Sequence, residues 1–354
     1  MNKQDNLFDE FPSVSSKQWK QKIQFDLKGA DYNKTLLTDT LEGITIKPFY
    51  HGDSFKQLDI PKGKDEFQIC QTIFISDEKT ANFLAKDALK RGADSIQFIA
   101  EKTFDPEIVF GGISGATIYL QLSFLDKDFI SNIIEMDGHS SLLYLNVDLI
   151  GNLSKTGNWF YNKEKDHEIL RSILIKETDN ISLLGIGVSQ YQNAGANTVQ
   201  QVAYAMAHAN EYLNFITENE IDTVKKVNFN FAVGSNYFFE IAKLRAFRYL
   251  WDLLLKEYGL EIEANIFSHP TLRNKTLYDY NVNMLRTTSE SISAILGGAD
   301  TISNLSYDSL FHKKNEFGER IARNQLIVLK EESKIRNGDI AEGSYYIEEL
   351  TYEI

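Results

Sequence analysis

The alternation of short β-type segments with longer amphipathic segments constrains the fold of this chain more than any other feature. From about residue 67 onward, β-type runs recur at 67–75, 95–100, 117–122, 142–148, 181–188, 226–233, 261–267 and 300–304. Amphipathic stretches long enough for helices lie between most of them, at 77–91, 164–176, 195–218, 236–258, 283–296 and 316–333. Strands that alternate with helices indicate a parallel sheet, and about eight such units indicate a closed barrel. We therefore predict an α/β chain that folds as a parallel (β/α)8 TIM barrel.

An open, doubly wound sheet is the alternative arrangement of the same elements. It would require a glycine-rich phosphate loop after the first strand, and residues 75–79 (Ile-Ser-Asp-Glu-Lys) contain no glycine. Gly92, Gly259 and Gly297 each stand shortly before a predicted strand. Because glycine enters the left-handed region freely, we expect these three residues to end helices. The closed barrel is therefore favoured.

The first 60 residues differ from the rest of the chain, because they contain only one good helical stretch. Trp19, Ile23 and Leu27 recur at helical spacing, and Gly29 can end that helix. Residues 43–50 follow as a short extended piece that contains a proline. A section of this size cannot carry its own core. We predict that residues 1–60 form an extended N-terminal arm that contacts a second subunit, and that residues 61–354 form the barrel.

The composition excludes several classes of partner. The 354 residues carry a net charge of −13, which would repel both nucleic acid and an anionic membrane. No run of about 18 apolar residues is present, and the polar N-terminus does not resemble a signal peptide. The single Cys70 excludes an internal disulfide and is typical of a reducing cytoplasm. We expect a cytoplasmic protein without nucleic-acid or membrane partners.

Polar residues recur within the predicted strands, although parallel strands covered on both faces are usually continuous in Val, Ile and Leu. Asn228 and Asn230, for example, share one face of their strand. The others are Gln68, Gln71, Gln97, Gln121, Asn146, Asp148, Asn265, Ser303 and Asn304. Either these residues lie at strand ends near the loops, or the barrel has a polar axis that holds water or an elongated ligand.

No catalytic or metal-binding motif is present. The six histidines show no metal-ligand spacing, and HExxH, CxxC, GxSxG, Walker and GxGxxG patterns are absent. Active sites of (β/α)8 barrels lie at the carboxyl ends of the strands. The residues predicted there include Asn146, Asp148, Gln190 and His269, and His269 is the only histidine among them. We therefore predict no metal site and take His269 as a weak candidate.

Several sequence runs resemble the methylmalonyl-CoA mutase family along essentially the whole chain. They include residues 26–31 (DLKGAD), 42–48 (EGITIKP), 194–196 (AGA), 240–246 (EIAKLRA), 282–288 (VNMLRTT), 297–300 (GGAD), 320–324 (RIARN) and 343–348 (GSYYIE). The runs occur in the family's order, so the resemblance is specific. It implies a rearrangement of CoA thioesters through adenosylcobalamin radicals. It also implies a barrel whose polar interior admits the CoA chain along its axis.

The resemblance also concerns a region beyond the barrel. Chains of this family continue into a flavodoxin-like domain that binds cobalamin in active subunits, whereas the sequence ends at Ile354. We expect the sequence to be cut from a longer chain. The cobalamin-type domain is then absent from it, and adenosylcobalamin would serve the holoenzyme without being bound by this chain.

The departures from the family's pattern concern the catalytic groups. The Tyr-Thr-Gly-Arg-Pro type of loop has no counterpart in residues 55–67, and the arginine that holds the substrate carboxylate has none near Thr156. The family's histidine that donates to the thioester carbonyl corresponds to Gln190. Asn146 falls in the family's Gln-Asn-Asp run after strand four. Asn228 matches a serine that contacts CoA, and Lys226 matches a nearby arginine.

The loss of both a carboxylate clamp and an electrophile removes substrate orientation and charge stabilisation together. The resemblance is therefore to the small (beta) subunit. It implies a non-catalytic partner that stabilises an active large (alpha) subunit in a heterodimer. Asn146, Lys226, Asn228 and His269 are kept as vestigial substrate-binding candidates, with Gln190 as the degenerate catalytic position. An active acyl-CoA mutase with an altered substrate is the alternative, and an unrelated barrel isomerase or aldolase is a more distant one.

Overall fold

The computed structural model describes residues 11–136, 142–312, 315–336 and 339–354. The described part of the arm begins with two helices, α1 (Ser16–Asp26) and α2 (Tyr32–Leu36). A two-stranded antiparallel hairpin follows, β1 (Thr38–Asp39) and β2 (Thr45–Ile46). Ser15 starts α1 through a capping box with Gln18. Residues 1–10 of the predicted arm lie outside the described residues.

The rest of the chain contains a closed barrel of eight parallel strands, which confirms the predicted fold. The strands are β3 (Gln68–Phe74), β4 (Ser95–Ala100), β5 (Thr117–Leu122), β6 (Leu143–Val147), β7 (Ile181–Gly187), β8 (Lys226–Val233), β9 (Glu263–Pro270) and β10 (Thr301–Ser303). They pair in chain order, and β10 closes the ring against β3. The alternative prediction of an open, doubly wound sheet is therefore wrong.

Helices cover the outside of the barrel between the strands. They are α3 (Glu78–Lys90), α4 (Pro106–Phe110), α5 (Lys127–Glu135), α6 (Leu149–Thr156), α7 (Lys163–Leu174), α8 (Ser189–Ala194), α9 (Thr198–Glu218), α10 (Tyr237–Tyr258), α11 (Val282–Leu296), α12 (Glu316–Ile327) and α13 (Tyr345–Glu353). Helix α9 begins later than the residue-195 start predicted for it. Asn197 and Gln200 form a capping box there, so the backbone turns into the helix only after Asn197.

Two details differ from the sequence prediction. Strand β9 continues to Pro270 because it stays paired with β8 as far as Val233, so His269 lies inside the strand and not after it. Gly92 and Gly259 have the expected left-handed backbone, with φ of 95° and 65°. At the end of α11 the left-handed residue is Gly298, with φ of 88°, whereas Gly297 remains right-handed. A Cβ on Gly297 would meet Leu244 at 3.1 Å, so close helix packing is what requires that glycine.

The second half of the arm packs on the outside of the barrel. Ile44 is buried against Phe239 and Ala242 of α10 and Leu350 of α13. Tyr50 packs against Tyr346 with ring centroids 4.8 Å apart. Helix α1, in contrast, has no buried residue. The arm therefore has one section fixed to the barrel, and α1 packs on that section through the stacked rings of Trp19 and Phe49 and the bonds from Ser16 to Asp53.

Candidate functional site at the carboxyl end of the barrel

A layer of three aromatic side chains lies in the barrel lumen, with Tyr119 and Tyr144 near the amino ends of β5 and β6 and Phe267 just past the middle of β9. The rings of Tyr119 and Tyr144 stack with centroids 4.9 Å apart and planes 5° apart. Phe267 meets Tyr119 edge-on at 4.9 Å. All three side chains are fully buried, and buried Cys70 completes the cluster. Burial raises the pKa of both phenols, so the layer is uncharged. We call Tyr119, Tyr144 and Phe267 the aromatic layer.

A chain of carboxamides lies against the aromatic layer. Asn265 donates from Nδ2 to the Tyr119 hydroxyl at 3.2 Å and to Asn228 Oδ1 at 2.7 Å. Asn228 in turn donates to Asn146 Oδ1 at 2.7 Å. Asn146 donates to the carbonyl oxygen of Leu120 at 2.9 Å. Because each side chain supplies the next one's hydrogen bond, Asn146 and Asn228 are largely satisfied by their neighbours.

The position of Asn146 depends on a local irregularity in β6. Its φ is +52°, a left-handed conformation that asparagine tolerates better than most residues, and the register with β7 shifts between Tyr144 and Val147. A Cβ on the neighbouring Gly185 would lie 2.6 Å from the Asn146 Cα. The bulge therefore needs glycine at position 185. It turns the Asn146 amide toward the lumen.

Two adjoining cavities lie on the carboxyl side of the carboxamide chain, at the carboxyl ends of the strands. One has a volume of about 330 Å³ and the other about 300 Å³. Gln97, Gln121 and Asn230 line both cavities and form the wall between them. We call the pair the double cavity. It is the candidate site, because ligand sites of (β/α)8 barrels lie at this end.

The wall on the β6 and β7 side is rigid. The Asp148 carboxylate accepts from the backbone amides of Gly151 and Gly187, at 2.8 Å each, and from the Tyr212 hydroxyl at 2.7 Å. A glycine is required at position 151, because a Cβ would collide with Asp148. Desolvation and the neighbouring carboxylate raise the pKa of Tyr212. Asp148 therefore ties three elements together and has no oxygen left without a donor.

The predicted degenerate position lies in the wall of the larger cavity. Gln190 is on the short helix α8, and its Nε2 donates to Ser154 Oγ of α6 at 2.7 Å. Lys155 and Thr156 line the same cavity. The Thr156 hydroxyl donates to the backbone carbonyls of Asn152 and Asn158, so it does not point a donor into the cavity.

His269 lines the smaller cavity together with Ser303 and Asn304. Its Nδ1 lies 3.0 Å from the Pro270 carbonyl oxygen. Burial lowers the pKa of His269, so the imidazole is neutral near pH 7 and cannot supply a positive charge.

The structure does not bring all the predicted site residues together. Asn146 and Asn228 are bonded to each other, and His269 and Gln190 line the two halves of the double cavity. Lys226 is the first residue of β8, at the opposite end of the barrel, where its ammonium donates to the Asp179 carbonyl at 3.0 Å.

The sequence interpretation missed the aromatic layer, although a signal for it was present. Tyr119 stands two residues before Gln121, Tyr144 two before Asn146, and Phe267 two after Asn265. Residues two apart in a strand point to the same side. Any argument that places the amides in the lumen therefore places these rings there as well.

Two kinds of site are missing from the described ranges 11–136, 142–312, 315–336 and 339–354. They contain no group of three or more His, Cys, Asp or Glu side chains arranged to hold a metal ion. They also contain no helix with the length and apolarity needed to cross a bilayer.

Comparisons with known proteins identify relatives of this chain. A model of the methylmalonyl-CoA mutase family matches residues 144–354. The methylmalonyl-CoA mutase small subunit of Porphyromonas gingivalis is 32% identical over 99% of this chain and 62% of its own length. The small subunit of Propionibacterium freudenreichii subsp. shermanii is 27% identical over 98% of this chain and 61% of its own. The chain thus spans about three fifths of the length of these curated relatives.

A large subunit is also similar to part of the chain. The methylmalonyl-CoA mutase large subunit of Porphyromonas gingivalis is 30% identical over 58% of this chain and 30% of its own length. Both kinds of subunit in one organism therefore share sequence with this barrel.

Proposed function

The chain belongs to the methylmalonyl-CoA mutase family, and we propose that it is the barrel portion of a mutase small subunit. In this role it does not itself catalyse the isomerisation of methylmalonyl-CoA and succinyl-CoA. It pairs with a catalytic large subunit and stabilises it. The nearly full-length match to relatives named small subunits supports the assignment.

The closed lumen is the observation that carries the non-catalytic role. The family resemblance implies a CoA chain that lies along the barrel axis. In this chain the aromatic layer of Tyr119, Tyr144 and Phe267 occupies that path. Because protein interiors are packed like organic crystals, a pantetheine chain could pass only if these rings left their places. Substrate would then have to displace the buried rings of the aromatic layer, and the loss of their packing would oppose binding.

The rim of the barrel supports the same role. Gln190 occupies the place of the histidine that the resemblance implies, and its amide is already bonded to Ser154. His269 is neutral and lies beside the Pro270 carbonyl. An enzyme needs donors aimed at the place where charge develops in the transition state. Neither side chain offers the developing thioester oxygen a charged donor.

Adenosylcobalamin, which the family implies, does not fit the barrel's own side chains as a bound cofactor. The double cavity presents mainly carboxamides and hydroxyls, and His269 is the one imidazole among its lining residues. The Nδ1 of that imidazole faces a carbonyl oxygen at 3.0 Å. We assign the cofactor to the holoenzyme and derive no step through it for this chain.

We further propose that helix α1 of the arm contacts the large subunit. Residues 16–28 contain four lysines and one aspartate, whereas the whole chain carries a net charge of −13. Trp19 and Phe25 are 45% and 77% exposed on this helix. A basic helix with exposed aromatic side chains fits an acidic surface with an apolar groove.

The first experiment tests the catalytic assignment. The natural full-length protein is expressed alone and together with the large subunit of the same organism, and methylmalonyl-CoA isomerisation is assayed with adenosylcobalamin. We expect turnover only when the large subunit is present. Turnover by the small subunit alone would instead establish the alternative, an active acyl-CoA mutase with an altered substrate.

The second experiment tests the arm. Lys17, Lys20 and Lys22 are changed together to Glu in the full-length protein, and binding to the large subunit is measured by sedimentation at two salt concentrations. We expect at least a tenfold weaker heterodimer. The control makes the same charge change at three exposed lysines of the barrel portion, Lys79, Lys90 and Lys102. Equal weakening by the control variant would refute the proposed contact.

A further inference from the structure

The last helix, α13, is held against the barrel along one side. Its buried residues are Ile347, Glu348, Leu350 and Thr351. Glu348 forms an ion pair with Arg245 of α10, and both side chains are almost fully buried. Isolated helices shorter than about 12–15 residues are marginal in water, and α13 has only 9 residues. The order of α13 therefore depends on what packs around it.

The arm packs against the opposite side of the same helix. We call residues 44–57 of the arm the connecting segment. Tyr345, Glu349 and Tyr352 are spaced by three or four residues, so they share one face of α13. The contacts of the connecting segment with this part of the chain are the rings of Tyr50 and Tyr346 at 4.8 Å, the rings of Phe55 and Tyr345 at 5.0 Å, the ion pair of Lys47 and Glu349 at 2.6 Å, the ammonium of Lys56 over the Tyr352 ring at 5.4 Å and the hydrogen bond from Gln57 to Glu342 at 3.0 Å. Packing, charge and hydrogen bonding thus all join the connecting segment to α13.

Helix α1 is attached to the same connecting segment. Trp19 stacks on Phe49 with ring centroids 4.9 Å apart and planes 13° apart. The backbone amide and the hydroxyl of Ser16 both donate to Asp53 Oδ2, at 2.8 and 3.0 Å. Phe49 directly precedes Tyr50, whose ring packs on α13. One short stretch of backbone therefore carries the contacts to both helices.

We propose that the connecting segment couples α1 to α13, so that fixing α1 also stabilises the docked state of α13. The other state is a released α13, in which water reaches Arg245 and Glu348. Such local openings have their own free energies, which lie below that of global unfolding. Coupling between two sites is reciprocal, so a change that loosens α13 also weakens the binding of a partner at α1.

This coupling gives the arm a regulatory role, which rests on the proposed contact of α1 with the large subunit. A large subunit bound at α1 keeps Trp19 on Phe49 and thereby keeps the connecting segment on α13. The docked fraction of α13 then reports whether the partner is bound, although α13 itself need not touch the partner.

The coupling is tested first on the full-length protein without its partner, by hydrogen–deuterium exchange of the α13 amides. Tyr50→Ala removes a ring that packs on α13, and we expect exchange there to rise at least tenfold. Trp19→Ala acts through the connecting segment, because Trp19 stacks on Phe49, and we expect a rise of about threefold. Phe25→Ala is the matched control on the same helix, since Phe25 is 77% exposed. It should leave the exchange of α13 unchanged.

The strands of the barrel provide an internal reference, because their exchange should match the parent protein in every variant. If Tyr50→Ala also accelerates exchange in the strands, the milder Lys47→Gln takes its place, since it removes only the ion pair with Glu349. The proposal is overturned if the variant used leaves α13 unchanged. It is also overturned if Trp19→Ala accelerates exchange in α13 no more than Phe25→Ala does.

The regulatory role is tested by adding the large subunit of the same organism at a saturating concentration. We expect exchange of α13 to slow at least fivefold in the parent protein and to stay unchanged in Tyr50→Ala. Protection that persists in Tyr50→Ala would overturn the transmission, because the large subunit would then cover α13 directly. A heterodimer without protection of α13 would overturn it as well. If the variant with glutamate at 17, 20 and 22 binds normally, the proposed contact of α1 fails, and the exchange of the protein alone still decides the coupling.

Discussion

The two ends of the barrel lumen are built from different side chains, and they differ in what they can hold. Toward the amino end, the stacked rings of Tyr119 and Tyr144 meet Phe267, which lies just past the middle of β9, and all three are buried. The carboxyl-terminal half contains carboxamides around two cavities. Aromatic rings fill space with few polar atoms to satisfy. Amides leave donors and acceptors that a ligand can use. One end is therefore packed for stability, and the other retains the chemistry of a binding site.

A buried ion pair stabilises each end of the barrel. At the amino end, Arg248 pairs with Asp300, which also accepts the backbone amides of Lys64 and Ile266. The bond from the Lys64 amide to Asp300 holds the segment before β3 against the amino end of the barrel. At the carboxyl end, Lys275 pairs with Glu290, on α11, and fixes the loop after β9. Both ends of the barrel are therefore held by a buried ion pair, but only the aromatic layer also fills the lumen with side chains.

Removing a ring from the aromatic layer should have the largest effect. We expect Tyr144→Ala to lower the free energy of unfolding by about 3–5 kcal/mol, because it leaves a cavity among buried rings. Tyr144→Phe is the matched control. It should be neutral or stabilising, since the buried Tyr144 hydroxyl has no hydrogen-bond partner among the described residues. Equal losses for the two variants, measured by urea unfolding, would show that the hydroxyl and not the packing matters.

The Arg248–Asp300 pair at the amino end should have the second-largest effect on the free energy of unfolding. Asp300→Asn leaves the Arg248 guanidinium buried without a carboxylate, which we expect to cost about 3 kcal/mol. The same measurement on Asp252→Asn provides the control, because Asp252 pairs with an exposed lysine on the surface of α10. That variant should unfold almost like the parent protein. A small effect of Asp300→Asn would mean that the lower end is not held by this pair.

Stability should also depend on pH through Glu177, at the amino ends of β7 and β8. Burial raises its pKa from 4.5 to about 7, against the lowering effect of hydrogen bonds from the Leu183 and Lys225 amides. The folded state therefore binds the proton more tightly than the unfolded state. The stabilisation is fully present below pH 4.5 and is lost as the pH rises through 7. From that shift, the loss should be about 3 kcal/mol.

Glu177→Gln tests this dependence, because it removes the titrating group and keeps the shape. We expect the fall in unfolding free energy between pH 4.5 and 7 to become markedly shallower in this variant. An unchanged pH profile would assign the dependence to other groups.

The smallest effect is expected at the carboxyl end. Gln190→Ala removes one partly exposed hydrogen bond to Ser154, so it should cost less than about 1 kcal/mol and leave holoenzyme turnover unchanged. Gln190→His restores the type of residue that the resemblance implies. We expect it to create no activity in the small subunit, because the aromatic layer still fills the lumen. Turnover by this variant would show that the missing imidazole alone accounts for the lack of catalytic activity.

Much of the fold could be predicted from the sequence, since strands and helices leave periodic signals. Even the β6–β7 bulge at Asn146 has a local reason, the glycine at position 185. The site was harder to predict. The amides at 146 and 228 were identified, but their mutual hydrogen bond depends on strands that are far apart in sequence. Lys226 was grouped with them, although residues two apart in a strand lie at different depths of the barrel. The rings of the aromatic layer looked like ordinary core residues, because a strand pattern does not distinguish the lumen from the helix-facing side.

In the role that we propose, the lumen of the barrel is closed to acyl-CoA. The most direct measurement is a calorimetric titration of the full-length small-subunit protein, without its partner, with methylmalonyl-CoA. We expect no saturable binding up to concentrations of about 1 mM, which corresponds to an affinity weaker than about 4 kcal/mol. Stoichiometric binding with a micromolar dissociation constant would contradict it, because the CoA chain would then have a path that Tyr119, Tyr144 and Phe267 do not block.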